Sequence, residues 1–364
     1  MKWKRLEGVD LLRGLAIFFV LMLHVNIRLR LAQVPYTAGI PDFIVQALVW
    51  NGQQGVQIFF AVSGFLITAM SLRRWNELSN IDVPGFYRLR LARIAPLFLL
   101  LLTVLTALHY AGLKDFVVNP RRATIGEALW SALTFHVNVQ ESRHGYLPGN
   151  WDVLWSLSIE EVFYLFFPLI CRVFGRSNML IVVLVGFVIA GPFARSAATG
   201  TWREYSYLGG MEAIAMGCLT AIALSRGWLR GTRLLGIAGA LVMVFGLCFG
   251  RQMAKWGIER AGLDMTILAF GTCLVIAATA QSGWRSPRLL RPLVSLGQRS
   301  YEVYLTHMFV VFAFFDLFLR AGKPMVWVAP LFAAATAAAG LLGTLVARVY
   351  SDPLNLRLRA GVAA

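Results

Sequence analysis

Ten apolar stretches, each about the 17–25 residues a helix needs to cross a ~30 Å hydrocarbon layer, divide this chain of 364 residues almost from end to end. They fall near 11–31, 52–72, 94–113, 153–174, 178–195, 207–225, 233–250, 263–281, 300–320 and 325–350. Hydrophobic residues make up 58% of the chain and charged residues 14%, a balance that excludes a soluble domain of this length. The pattern predicts an all-α, polytopic membrane bundle of about ten transmembrane helices. Trp130 to Val139 is apolar but too short to span. No internal repeat, low-complexity tract or long linker interrupts the series, so residues 1–364 read as one membrane domain.

The N-terminus, with Lys2, Lys4 and Arg5 ahead of an apolar run, has the outline of a signal peptide. No small-x-small cleavage site follows, and His24 and Asn26 interrupt the run, so it reads as a retained first span. The formal net charge is +16, yet the basic residues sit in short loops between apolar windows, which argues against nucleic acid as a partner. Lys2, Lys4, Arg5, Arg73, Arg74, Arg88, Arg90, Arg93, Arg172, Arg226, Arg285 and Arg299 share the N-terminal side, while the loop 32–51 has no Lys or Arg. That asymmetry predicts both termini in the cytoplasm and the longest loop, 114–152, outside. Cys171, Cys218, Cys248 and Cys273 lie in or beside apolar segments without a C-x-x-C pair, so neither a disulfide framework nor a metal site is expected.

The stretch "DLLRGLAIFFVLMLH", residues 10–24, carries the sharpest chemical signal. Arg13 and His24 are eleven positions apart, three helical turns plus roughly 20°, so they share one face about 16 Å apart. An ionisable pair on one stripe of a membrane helix points to function. A buried imidazole is a natural general base near neutral pH, and a guanidinium binds phosphate or carboxylate through paired hydrogen bonds. The bland alternative is that Arg13 snorkels to the interface and His24 satisfies a backbone carbonyl.

Arg88, Arg90 and Arg93 in "GFYRLRLARIAP" are either a positive-inside anchor or a cradle for a phosphorylated ligand, with Arg88 and Arg90 on one side only if the segment is extended. In "NWDVLWSLSIEEVFYLFFPLI", Glu160 and Glu161 are adjacent on a helix and are expected to face different partners. "SYEVYLTHMFVV" adds Glu302 and His307, and with Glu212 and Asp264 the set also suits a proton-coupled transporter. Ser63, in "AVSGF", does not form a G-x-S-x-G elbow, and no Walker A or H-E-x-x-H motif occurs.

Five blocks in order, "DLLRGLAIFFVLMLH", "GVQIFFAVSGFLI", "FYRLRLARIAP", "WSLSIEEVFYLFFP" and "SYEVYLTHMFV", resemble the acyltransferase 3 family of bacterial membrane acyltransferases, and they cover essentially the whole chain. The resemblance implies an O-acyltransferase of the bacterial inner membrane that moves an acyl group, most often acetyl, from coenzyme A to a hydroxyl of a carbohydrate or lipid-linked glycan. Acyl-CoA is then a donor substrate rather than a resident cofactor. Arg13 and His24 match the family's arginine–histidine pair, Arg88 and Arg90 its arginine-x-arginine element, and Glu160 its carboxylate. On that basis Arg13, Arg88, Arg90 and Arg93 are expected to hold the phosphates of CoA and His24 to act as base. Glu160 would orient the imidazole, with Glu161, Ser63 and His307 as further candidates. Some relatives carry a C-terminal periplasmic esterase-like domain, which is not expected within these residues. The rival readings are a glycolipid transporter or flippase using His24, Glu160 and His307 as a proton relay, and an accessory scaffold.

Overall fold

The computed structural model describes residues 6–359. Lys2, Lys4 and Arg5, which contribute to the charge asymmetry, lie outside the described residues. Ten long helices carry the fold: α1 (Glu7–Leu31), α2 (Gly52–Trp75), α3 (Val83–Tyr110), α4 (Leu154–Phe174), α5 (Met179–Ala197), α6 (Tyr207–Ser225), α7 (Arg233–Cys248), α8 (Asp264–Ser282), α9 (Ser300–Arg320) and α10 (Val328–Val346). Each coincides with one apolar window of the sequence. Among the described residues nine segments are long and apolar enough to cross a bilayer, while α7, at 16 residues, is shorter. There are no strands among the described residues.

The start of α1 and the last described helix, Asp352–Arg359, fall at the same end of the bundle: Arg13 and Arg359 line one cavity, and Asp352 pairs with Arg299 at 2.7 Å. Helix α3 begins well before its apolar window. Pro84 sits in its first turn, where the missing N–H costs nothing, and the helix takes in Arg88, Arg90 and Arg93 before reaching the apolar stretch. Helix α8 stops at Gly283, whose φ of +62° is cheap only for glycine.

The helices approach closely where small residues meet. A Cβ on Gly64 of α2 would fall 1.8 Å from the carbonyl oxygen of Ile214 in α6, and one on Gly217 would fall 2.0 Å from that of Ala61. Small residues let backbones touch in a medium where apolar side chains gain little by leaving lipid. Gly14 meets the carbonyl of Leu293 in the short helix Arg291–Gln298 in the same way.

The expected outer loop is a folded cap. It holds two short helices, Ile125–Leu133 and Val137–His144, the first opened by a Thr124–Glu127 capping box. Trp151 is fully buried beneath it, Asn138 donates to the carbonyl of Tyr205 at 2.9 Å, and Tyr207 donates to that of Phe135 at 2.6 Å. Glu141, almost fully buried, accepts from the N–H of Leu147, and burial together with the neighbouring Asp152 carboxylate pushes its carboxyl well above the usual range.

Two outcomes follow from this packing. Gly64→Ala or Gly217→Ala drives a methyl into backbone and is expected to cost about 1–3 kcal/mol, seen as a lower melting midpoint in detergent. Gly186→Ala, where a Cβ meets nothing within 4 Å, should be close to neutral. Because folding raises the Glu141 carboxyl above its unfolded value, stability should be greatest below the ordinary carboxylate range and fall as pH rises toward the raised folded value. Glu141→Gln should flatten that fall in pH-dependent melting curves.

Candidate active site

The helical start of α3 decides which arginines face inward. At 100° per residue Arg88 and Arg90 are about 200° apart, so they point to opposite sides. Arg90 enters the bundle, and its guanidinium lies 3.6 Å over the ring of Tyr164 and bonds both Glu160 (3.2 Å) and Glu161 (2.8 Å). One turn on, Arg93 makes a two-pronged pair with Glu302 of α9 at 2.7 and 3.3 Å. From α2, Ser63 hydrogen-bonds both Glu160 and Tyr164, and the Tyr164 hydroxyl donates to Glu160 at 2.8 Å. One carboxylate oxygen of Glu160 thus accepts from a serine, a tyrosine and an arginine, a charge-assisted network joining α2, α3 and α4.

Ser63, Arg90, Arg93, Glu160 and Tyr164 wall a cavity of about 640 Å³. Six arginines line it, Arg13, Arg73, Arg74, Arg90, Arg93 and Arg359, against a single lining carboxylate, Glu160. Asp10, one turn before Arg13, lies 3.8 Å from its guanidinium. Arg73, Arg74, Trp75 and Arg359 lie toward one end of the cavity, and Phe60, Ser156 and Tyr304 toward the other. Tyr304 is held by bonds to Ser156 (2.7 Å) and to the carbonyl of Val153 (2.9 Å).

His24 is not on the cavity wall. Its ring lies 5.1 Å from that of His307, and His307 lies 5.8 Å from Tyr304, so two ring contacts connect it to the cavity's inner end. His307 is fully buried, with Nδ1 2.6 Å from the carbonyl oxygen of Tyr304. A carbonyl only accepts, so Nδ1 carries the proton and Nε2 is the free acceptor, without a partner among the described residues.

Several expectations need correction. Arg88 is exposed and does not line the cavity, because the segment is helical rather than extended. The described hydrogen bonds of Glu160 go to Ser63, Tyr164 and Arg90, and the ring beside His24 is that of His307. Glu160 and Glu161 do share a partner: the broad guanidinium of Arg90 reaches both, although their side chains leave the helix 100° apart. Sequence reasoning passed over Tyr164, Tyr304, Ser156 and Arg359. The first could have been found, since Glu160 and Tyr164 are one helical turn apart and so share a face. Cys171, Cys218 and Cys273 are buried and Cys248 is half-buried, each as a free thiol.

The family described as acyltransferase domain, acyltransferase 3, matches residues 6–349. The chain belongs to the acyltransferase 3 family. It is 25% identical over 354 residues to the O-acetyltransferase OatA of Staphylococcus aureus, covering 89% of this chain and 53% of that protein. It is also 25% identical over 355 residues to the peptidoglycan O-acetyltransferase OatA of Listeria monocytogenes, covering 92% of this chain and 53% of the relative. The chain therefore spans about half the length of the curated relatives it matches. No solved structure matches it.

Within this acyltransferase 3 fold the two arginines should separate in stability. Arg90→Met strands two partly buried carboxylates and is expected to cost about 3–5 kcal/mol, whereas Arg88→Met should stay within about 0.5 kcal/mol of wild type. Thermal melts of the two variants in the same detergent read the difference.

Proposed function

We propose that this chain transfers an acyl group, acetyl foremost, from acyl-CoA to a hydroxyl of a cell-surface carbohydrate. The observation that carries the reading is the cavity with six lining arginines and one lining carboxylate, a shape and charge suited to a polyphosphate head with a long neutral arm. The bias of Lys and Arg to the loops at that end supports a mouth facing the cytosol, where acyl-CoA resides, and hence both termini inside a bacterial cytoplasmic membrane. The S. aureus and L. monocytogenes relatives are named as O-acetyltransferases, the latter of peptidoglycan, which supports acetyl as the group and a glycan as the acceptor.

Arg13, Arg90 and Arg93 bind the phosphates, and the pantetheine arm runs inward along the face of α1. The helical rise from Arg13 to His24 is about 16 Å, comparable with the reach of that arm. His24 takes the proton of the acceptor hydroxyl as its oxygen attacks the thioester carbonyl. The tetrahedral adduct collapses with cleavage of the C–S bond, and the CoA thiolate leaves with the proton from the imidazolium. In this reading His307, rather than Glu160, orients the imidazole: its Nδ1 proton is committed to the carbonyl of Tyr304, and its unpartnered Nε2 is open to accept from His24 once the two rings, 5.1 Å apart, draw together. Since Tyr304 and His307 connect the cavity to His24, reaction there entails displacement of the Tyr304 side chain. Glu160 instead holds Arg90 and Ser63 in position.

The test is transfer of radiolabelled acetyl from acetyl-CoA to surface glycans in membranes carrying matched amounts of each variant. His24→Ala should lose about 10²–10⁴ of the rate. Arg13→Ala should chiefly raise KM for acetyl-CoA, and Arg88→Ala should behave as wild type. Full activity in His24→Ala would overturn the base assignment, and wild-type membranes that neither bind acetyl-CoA nor transfer its label would overturn the acyl-transfer reading.

A further inference from the structure

We propose that a second cavity, at the opposite end of α2 from the arginine-lined one, binds an uncharged saccharide. The proposal rests on the acyl-transfer reading, for which this would be the acceptor site. The cavity has a volume of about 380 Å³, within the roughly 300–1,000 Å³ of small-molecule sites. The first turns of α2 form one wall, with Gln53, Gln54 and Gln57 lining it, and the opposing wall brings Asp264 from the start of α8.

Three of these side chains each carry one buried polar atom without a hydrogen-bond partner among the described residues. Gln57 is only 5% exposed, and its Nε2 makes no hydrogen bond among the described residues; Gln54 Oε1 and Asp264 Oδ1 are likewise buried and unpartnered. An unmade hydrogen bond at a buried polar atom costs about 1–3 kcal/mol, so a wall with a free donor and two free acceptors fits a ligand that both donates and accepts. Hydroxyl groups do both. Trp50 and Trp155 supply flat apolar faces for the C–H surfaces of a sugar ring, and Trp155 is held rigid by stacking on Tyr205 at 4.1 Å.

Charge separates this cavity from the first. Its three lining arginines are each engaged by a carboxylate, Arg195 by Glu212, Arg203 by Glu259 at 3.9 Å and Arg251 by Asp42 at 2.5 Å. Glu204 and Asp264 add further acid, so there is no surplus of positive charge to hold a polyanion. The two cavities meet at Val56 and Phe60, which line both. Leu23, the neighbour of His24, packs where a Cβ on Gly52 would stand, so His24 lies level with the α2 turn that opens the second cavity.

Calorimetric titration of the full chain in nanodiscs tests the assignment with two neutral probes, triacetylchitotriose and maltotriose, and one anionic probe, trigalacturonate. Coenzyme A binding is measured on the same samples. Wild type should bind at least one neutral probe and reject trigalacturonate. Gln57→Leu, which keeps the volume and removes the amide, should weaken the neutral probe about tenfold or more with CoA affinity unchanged. Gln53→Ala, on the half-buried rim, gives a second variant should Gln57→Leu fail to fold. Neutral saccharide bound equally by both variants, no neutral probe bound by a protein that binds CoA, or tighter binding of trigalacturonate would each overturn the proposal. Saccharide binding that depends on Gln57 in a protein that ignores CoA would instead uphold this site and overturn the acyl-CoA reading.

Discussion

Arg90 sits over the ring of Tyr164 with its guanidinium divided between Glu160 and Glu161, and much of the bundle's interior follows from that contact. In lipid an ion without a counter-ion is far more costly than in water, so each charge carried into the bundle draws a helix toward it. Arg90 ties α3 to α4, Ser63 brings α2 to the same carboxylate, and Arg93 with Glu302 adds α9. Arg195 and Glu212 do the same between α5 and α6. These pairs join helices that apolar contact alone would leave without a fixed register, because lipid tails pack against leucine about as well as another leucine does.

The same pairing explains the cavity. Glu161 and Glu302 are spent on Arg90 and Arg93 inside the wall, which leaves arginine as the prevailing charge on the surface that a ligand meets. The wall is held in shape because its polar groups are already bonded to one another. Further in, the hydroxyl of Tyr304 is engaged by Ser156 and a backbone carbonyl. A cavity with arginines toward one end matches a ligand with a polyanionic head and an uncharged tail. The second cavity reverses the balance, with three lining carboxylates against three lining arginines and with open amides, so the two ends of α2 suit different chemistry.

The fold was largely legible in the sequence, and the site only partly. Each of the ten apolar windows coincides with one long helix, because hydropathy over some twenty residues is a local property that tertiary contacts reinforce. The start of α3 was not legible in the same way. Hydropathy marks where the apolar stretch begins, whereas the helix begins at Val83, and that difference turns Arg88 outward. Adjacent glutamates looked incompatible with one partner until a broad planar guanidinium was found between them.

By itself, the sequence determined that the chain is a helical membrane protein, that Arg13 and His24 share one face of a single helix, and that basic residues gather at one end. Those properties depend on residues within a few turns of one another. Tertiary structure alone decided that His24 lies beside His307, that Ser63 meets Glu160 and Tyr164, and that Arg93 meets Glu302, partners 209 positions away. Helical periodicity says which way a side chain points, but not which helix it meets. That is settled by the few arrangements that pair Arg90, Arg93 and Arg195 with carboxylates while letting Gly64 and Gly217 bring their backbones into contact.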